Sequence, residues 1–258
     1  HNIIISLFKY IKSKLKPFIA LICIALLASC QGDSKNSNLE LSNFIKPEYL
    51  FQESLLSCKL VESKTLNSVE RFIPKFVDSF IKMGGETEEL YFLFPLVEDQ
   101  TDTQVFEVLL NHSDSLSLDR LNLTLAALSF DDIAKCESSS VSSRALWLTD
   151  QTIFASPVIA EILECNYRDG YSYATIKLVL EQFTDALIKN NSQVNILYSE
   201  EDKSSSKFYW TNIFSSLESR QNFVESWQAL EISKEIQGLL LEQSICESSQ
   251  TYRRYKIL

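Results

Sequence analysis

The segment Leu90-Tyr-Phe-Leu-Phe-Pro-Leu-Val97 is apolar at every position and lacks the alternation of a strand with one wet face. Such a run reads as a strand buried on both sides. Phe208-Tyr-Trp210 and Ile213-Phe214 behave in the same way. A different period governs Ile176, Leu180, Phe183 and Leu187, which recur at spacings of three and four behind Ser172, a good N-cap. Taken along the chain, these periods predict strand, helix, strand, strand, helix, strand twice over. The first set covers 54–61, 67–83, 89–97, 104–111, 118–127 and 135–148. The second has strands at 161–168, 194–199, 207–214 and 244–257, with helices after Ser172 and at 217–230. Pro74 falls inside the first helix, where it removes a backbone donor and favours a kink.

The two sets are copies. Leu55 to Thr65 parallels Ile162 to Ser172, and at the same offset Lys75-Phe-Val-Asp-Ser-Phe-Ile-Lys82 parallels Gln182-Phe-Thr-Asp-Ala-Leu-Ile-Lys189. Glu98-Asp99 answers Glu201-Asp202, and Arg120-Leu-Asn-Leu123 answers Arg220-Gln-Asn-Phe223. Cys136-Glu-Ser-Ser recurs as Cys246-Glu-Ser-Ser, with Arg144 and Arg254 each eight residues further on. Each match is weak by itself; their shared order marks an internal repeat.

A βαββαβ unit is the ferredoxin-like plan, with both helices on one sheet face and the other face bare. Two copies cover their bare faces by packing them together. In this element order the chain resembles the dimeric α+β-barrel superfamily. The expected fold is therefore α+β: two tandem ferredoxin-like repeats packed sheet to sheet as a single-chain pseudo-dimeric barrel. Repeat 1 is assigned to 50–149, a linker to 150–160 and repeat 2 to 161–258.

Of six cysteines, Cys58, Cys136, Cys165 and Cys246 lie in the repeats, which allows three pairings. In the ferredoxin-like order, strands one and four are antiparallel neighbours. That selects Cys58–Cys136 and Cys165–Cys246, one disulfide in each half. No C-x-x-C pair is present to suggest a redox or metal centre.

Residues 1–29 read as a signal peptide: four lysines, no acid, an apolar run from Phe18 to Ala28, then Leu27-Ala-Ser-Cys30. The ending resembles a bacterial lipobox, which implies lipidation (palmitate) at Cys30, with 30–49 as lipidated N-terminus and tether. Gln31 after the cysteine implies an outer-membrane lipoprotein on the periplasmic side, a compartment that permits disulfides. Cys165 to Ser172 and Cys246-Glu-Ser-Ser also resemble blocks of uncharacterised lipoproteins of marine bacteria; no activity comes with that likeness. Cleavage takes the formal charge from −10 to −14. Such a surface repels nucleic acid, so the membrane is reached through the lipid.

Only five glycines and two histidines are present, and no phosphate-binding glycine loop or histidine metal cluster can be written. No cofactor and no metal are implied. If each cysteine pair faces the helices, Glu164, Asn166, Arg168 and Glu247 face the barrel interior, with Lys59 and Glu137 as counterparts in the first half. Tyr91, Phe92, Phe94, Tyr198, Tyr209 and Trp210 are candidates to wall a pocket for a small apolar or aromatic ligand. His112 is the single histidine beyond the signal, and no Ser-His-Asp arrangement emerges. The expectation is a monomeric, non-catalytic ligand-binding or envelope-associated lipoprotein. The alternative is a small-molecule enzyme of the α+β-barrel monooxygenase type, working inside the barrel.

Overall fold

The computed structural model describes residues 50–96, 104–112, 116–149, 155–201 and 205–258. The signal stretch, Cys30, the tether and the acidic loop after Val97 lie outside the described residues. Eight strands alternate with helices: β1 Leu50–Leu60, α1 Leu66–Lys82, β2 Glu89–Pro95, β3 Val105–His112, α2 Ser117–Ala127, β4 Ala134–Trp147, β5 Val158–Tyr167, α3 Tyr173–Lys189, β6 Asn195–Glu200, β7 Lys207–Phe214, α4 Leu217–Ala229, α5 Ser233–Gln243 and β8 Ser244–Lys256. They close into one barrel in the order β1-β3-β2-β8-β5-β7-β6-β4, every pair antiparallel. Each half keeps the ferredoxin-like order, and β2–β8 and β4–β6 are the seams between halves. The tandem α+β barrel is the fold of this chain. Closure removes every sheet edge that a lone repeat would expose.

The first helix of each half starts in the same way. Ser68 Oγ accepts from the Thr65 backbone N–H at 3.4 Å, and Thr175 Oγ1 accepts from that of Ser172 at 3.0 Å. Both side chains reach back to backbone donors that helical turns leave open. Helix α1 runs through Pro74 and buries Val69, Phe72, Phe76 and Phe80. Helix α3 buries Ile176, Val179, Leu180, Phe183 and Leu187. Each stripe covers the outer face of its own half-sheet, giving two separate apolar cores outside the barrel wall. Cys58–Cys136 and Cys165–Cys246 are bonded as the repeat predicts, closing sequence separations of 78 and 81 residues. Loops of that length limit the unfolded chain by roughly 4 kcal/mol each in the chain-entropy account.

Two features depart from the pattern. Helix α5 occupies a stretch with no predicted element; Ile236 buries there at helical spacing from Leu239 and Leu240. In the first half the corresponding place holds only the 3-10 turn Phe130–Asp132. The second departure is a register shift in β8. Cys165 pairs with Cys246 but Glu164 pairs with Ser248, so Glu247 is an extra, bulged residue.

Candidate functional site

Strand parity sorts the wall. Leu56, Cys58, Leu90, Phe92, Phe106, Val108 and Leu110 face the helices, so their neighbours face inward. A cavity of about 180 Å³ lies in the interior, between walls contributed by Leu55, Leu93, Leu109, Val141, Ala160 and Leu197. Glu53, Glu107, Ser199, Tyr252 and Arg254 bring polar atoms to it. At the end where β1 and β5 begin, an open recess of about 950 Å³ shares Leu197 and Arg254 with this cavity. At the disulfide end a smaller recess of about 380 Å³ shares Glu107 and Tyr252 with it.

Glu53, the fourth residue of β1, is 4% exposed. Its Oε2 accepts hydrogen bonds from Ser143 Oγ and, at 3.2 Å, from Ser199 Oγ; its Oε1 has no hydrogen-bond partner. Burial pushes its carboxyl above the ordinary range, opposed by the Ser143 hydroxyl, the charge of Arg254 and the Ser199 hydroxyl. Arg254, 7% exposed, stacks its guanidinium 3.7 Å from the centroid of the Tyr91 ring, and its Nε is also without a partner. Burial raises the Tyr91 hydroxyl to about 12. Deeper along the barrel the Tyr252 hydroxyl donates to Glu107 Oε1 at 2.9 Å; burial raises the Glu107 carboxyl and this bond opposes the rise. At the open end Lys256 pairs with Glu89 at 2.8 Å. Burial would raise the Glu89 carboxyl, but the Lys256 hydrogen bond and charge leave it net lowered.

The residues expected inside divide. Glu164 lines the interior cavity, paired with Lys207 at 2.9 Å, and Lys59 and Glu137 line the exposed recess at the disulfide end. Asn166 is half-buried in the ladder between Lys207 and Ile245. Six placements need correction. Glu247 is the bulged residue and is exposed. Arg168 lies past the end of β5 on the surface, where its Nε donates to the Leu241 carbonyl of α5 at 2.9 Å. Tyr198 and Trp210 have the parity of Cys165 and belong to the outer core: Tyr198 bonds Glu200 at 2.9 Å and Trp210 packs on Phe183. Phe92 and Phe94 likewise stack outside, leaving Tyr91 and Tyr209 as the inward aromatics of that set. His112 closes β3 at the rim of the open recess, its Nε2 3.0 Å from Ser54 Oγ.

Glu53, Glu107 and Arg254 were not among the expected site residues. For Glu53 and Glu107 a signal exists, since both are offset by an odd number from helix-facing apolar neighbours. Glu53 lay one residue before the predicted start of its strand. Arg254 has the parity of Cys246 and therefore reads as outward. Only the bulge turns it in.

Comparison with known proteins gives no matching family model and no matching curated protein. Solved structures do share the fold. A dye-decolorizing peroxidase from Bacteroides thetaiotaomicron is 8% identical with a TM-score of 0.53, over 80% of this chain and 93% of that one. A candidate monooxygenase from Fusobacterium nucleatum is 9% identical with a TM-score of 0.52, over 81% and 94%. A haem-binding protein from Thermus thermophilus is 9% identical with a TM-score of 0.52, over 80% and 91%. At these identities the likeness is one of fold. None of the three bears on the resemblance to lipoproteins of marine bacteria. The expectation of a non-catalytic binding or envelope role is corrected by this company: proteins sharing the barrel include a peroxidase and a candidate monooxygenase.

Proposed function

We propose that this barrel is a small-molecule enzyme whose site is its interior, with Glu53 as the proton-transfer group and Arg254 as the cation that holds a developing oxyanion. One observation carries the reading. Two charged side chains, each more than nine-tenths buried, line the same cavity and each has a buried polar atom without a partner, Glu53 Oε1 and Arg254 Nε. A buried polar atom left unpaired costs about 1–3 kcal/mol, more for a charged group, and a folded chain retains such a cost where a ligand or chemistry uses it. A carboxyl raised by burial is also a stronger base once ionised, and general bases contribute about 10²–10⁴ in rate. The step that fits is removal of a proton from a carbon or hydroxyl acid by Glu53. The proton then rests on the carboxyl, and the electron pair left behind is drawn to an oxygen beside Arg254.

Haem, which the Thermus thermophilus barrel binds, does not fit the residues here. Its iron takes an axial His, Cys thiolate, Met or Tyr. The single described histidine, His112, has its Nε2 against Ser54 at the rim, and the four described cysteines are in disulfides. Inside the cavity, Tyr252 donates to Glu107 and Tyr209 to Glu201. The interior cavity is smaller than the few hundred Å³ of ordinary ligand pockets, and in the larger open recess the side chains of iron-ligand type are His112, against Ser54, and Tyr91, which donates to Glu89.

The test is solvent deuterium incorporation. Small ketones, phenols and keto acids are incubated with the protein in D2O, and carbon-bound proton loss is followed by NMR. The reading expects at least one compound to exchange faster with the protein, and Glu53→Gln to lower that rate by about 100-fold or more. Exchange that survives Glu53→Gln unchanged overturns it.

A further inference from the structure

We infer that the interior takes a single-ring organic anion of about the size of benzoate, with its carboxylate or phenolate oxygen on Arg254. The inference rests on the interior-site reading above and adds the ligand class.

Charge comes first. Among the described residues Arg254 forms no ion pair; its guanidinium lies on the Tyr91 ring instead. An aromatic face offsets only part of the hydration that burial strips from a cation. Lys207 and Lys256 are paired with Glu164 and Glu89, and Lys59 lies away from the cavity in the exposed recess at the disulfide end. An anionic oxygen at the unpartnered Nε would complete the site.

Size comes second. The cavity holds about 180 Å³, and a dry apolar cavity of about 150 Å³ is enough to bind benzene. Leucines 55, 93, 109 and 197 with Val141 supply an apolar wall for a ring. The volume inside the wall is therefore that of one ring.

Route comes third. Arg254 is shared by the cavity and the open recess, so it stands at the neck a ligand passes. The recess at the disulfide end is smaller, about 380 Å³, and near the second disulfide Lys207 pairs with Glu164 and Glu201 at 2.9 and 3.8 Å. The anion therefore enters ring-first from the open end and stops with its charge at the neck.

The experiment is ligand-observed NMR titration of the full chain with benzoate, its uncharged isostere benzyl alcohol and 1-naphthoate. Three proteins are compared: wild type, Arg254→Gln, and Ala160→Leu, which fills the cavity without removing a polar group. The inference expects benzoate to bind at least tenfold tighter than either other probe, and both substitutions to weaken it at least tenfold. Circular dichroism identifies a variant that fails to fold, and either folded variant is decisive. Equal binding of benzoate and benzyl alcohol, or benzoate binding unchanged by Ala160→Leu or Arg254→Gln, overturns it. So does absence of benzoate binding. If an uncharged compound nevertheless shows Glu53-dependent deuterium exchange, the anion inference falls and the interior site stands. If no compound does either, both fall.

Discussion

Arg144 and Arg254 occupy equivalent positions in the two repeats, each eight residues past a disulfide cysteine, yet they point to opposite faces of the barrel wall. Arg144 follows a regular β4 register and lies outside, its guanidinium 3.8 Å from the Tyr173 ring centroid and 3.5 Å from Glu200. Arg254 follows the Glu247 bulge and lies inside on Tyr91. One extra residue in a strand reverses every side chain beyond it. Glu53 adds a second asymmetry, because its counterpart across the repeat is Ala160, also on the interior cavity. The duplicated fold thus carries a single polar site rather than two half-sites.

The bulge yields a paired prediction. Deleting Glu247 removes the extra residue and keeps Ser248 opposite Glu164, so Arg254 stays inside; the thermal midpoint should move by only a few degrees. Inserting a serine after Ser249 adds a second surplus residue, which turns Tyr252 and Arg254 outward or widens the bulge, and should cost several kcal/mol. Thermal melts of the deletion and the insertion check this, and equal effects would contradict the register argument.

Glu53 should also leave a signature in stability against pH. Its carboxyl is raised in the folded state, so the native protein binds the proton more tightly than the unfolded chain does. The contribution is fully present below the unfolded carboxylate pKa and is lost as pH rises through the folded value. Glu53→Gln should therefore flatten the decline of stability from about pH 4.5 upward, leaving a smaller slope in the same direction from Glu107. Denaturant midpoints at several pH values for both proteins measure it; parallel profiles would show that Glu53 ionises freely.

The repeat-matched arginines 120 and 220 should differ in weight. Arg120 donates to Glu88, 6% exposed, at 3.0 Å, and Ser117 donates to the same oxygen at 2.5 Å. Arg220 holds Glu161 at 2.5 Å from a more exposed position. Arg120→Met strands a buried carboxylate and should cost about 3–5 kcal/mol. Arg220→Met should cost less, and Glu88→Gln should recover part of the Arg120→Met loss. Urea unfolding of the four variants decides the order.

Reduction bears on location as well as stability. Loops of 78 and 81 residues predict a loss of roughly 4 kcal/mol for each disulfide opened, so Cys165→Ser with Cys246→Ser should lower the denaturant midpoint strongly. Disulfides need an oxidising compartment, in keeping with our proposal of an exported, lipid-anchored protein. Palmitate labelling in a bacterial host should depend on Cys30. Labelling that persists in Cys30→Ser removes the anchor proposal.

Much of the fold was legible because its signals are local or repeated. The period of about 3.6 marked four of the helices to within a residue or so, strand starts were placed up to four residues late, and duplication picked one disulfide pairing of three. The site was less legible for a geometric reason. Parity carries inward and outward faces along a strand only while the register is regular, and nothing in Cys246-Glu-Ser-Ser announces a bulge that Cys136-Glu-Ser-Ser lacks. Tyr198 and Trp210 misled because aromatic strands buried on both faces do not say which face is the barrel. Helix α5 was missed because its apolar positions are few and Gly238 interrupts them.

The most direct test of the central claim is the ionisation of Glu53 itself, followed by carbon-13 NMR of glutamate carboxyls in the wild type and Glu53→Gln. The account predicts one resonance that titrates above the ordinary carboxylate range, is absent from Glu53→Gln, and shifts when benzoate is added. A Glu53 resonance that titrates like a solvated glutamate and ignores every probe would contradict it.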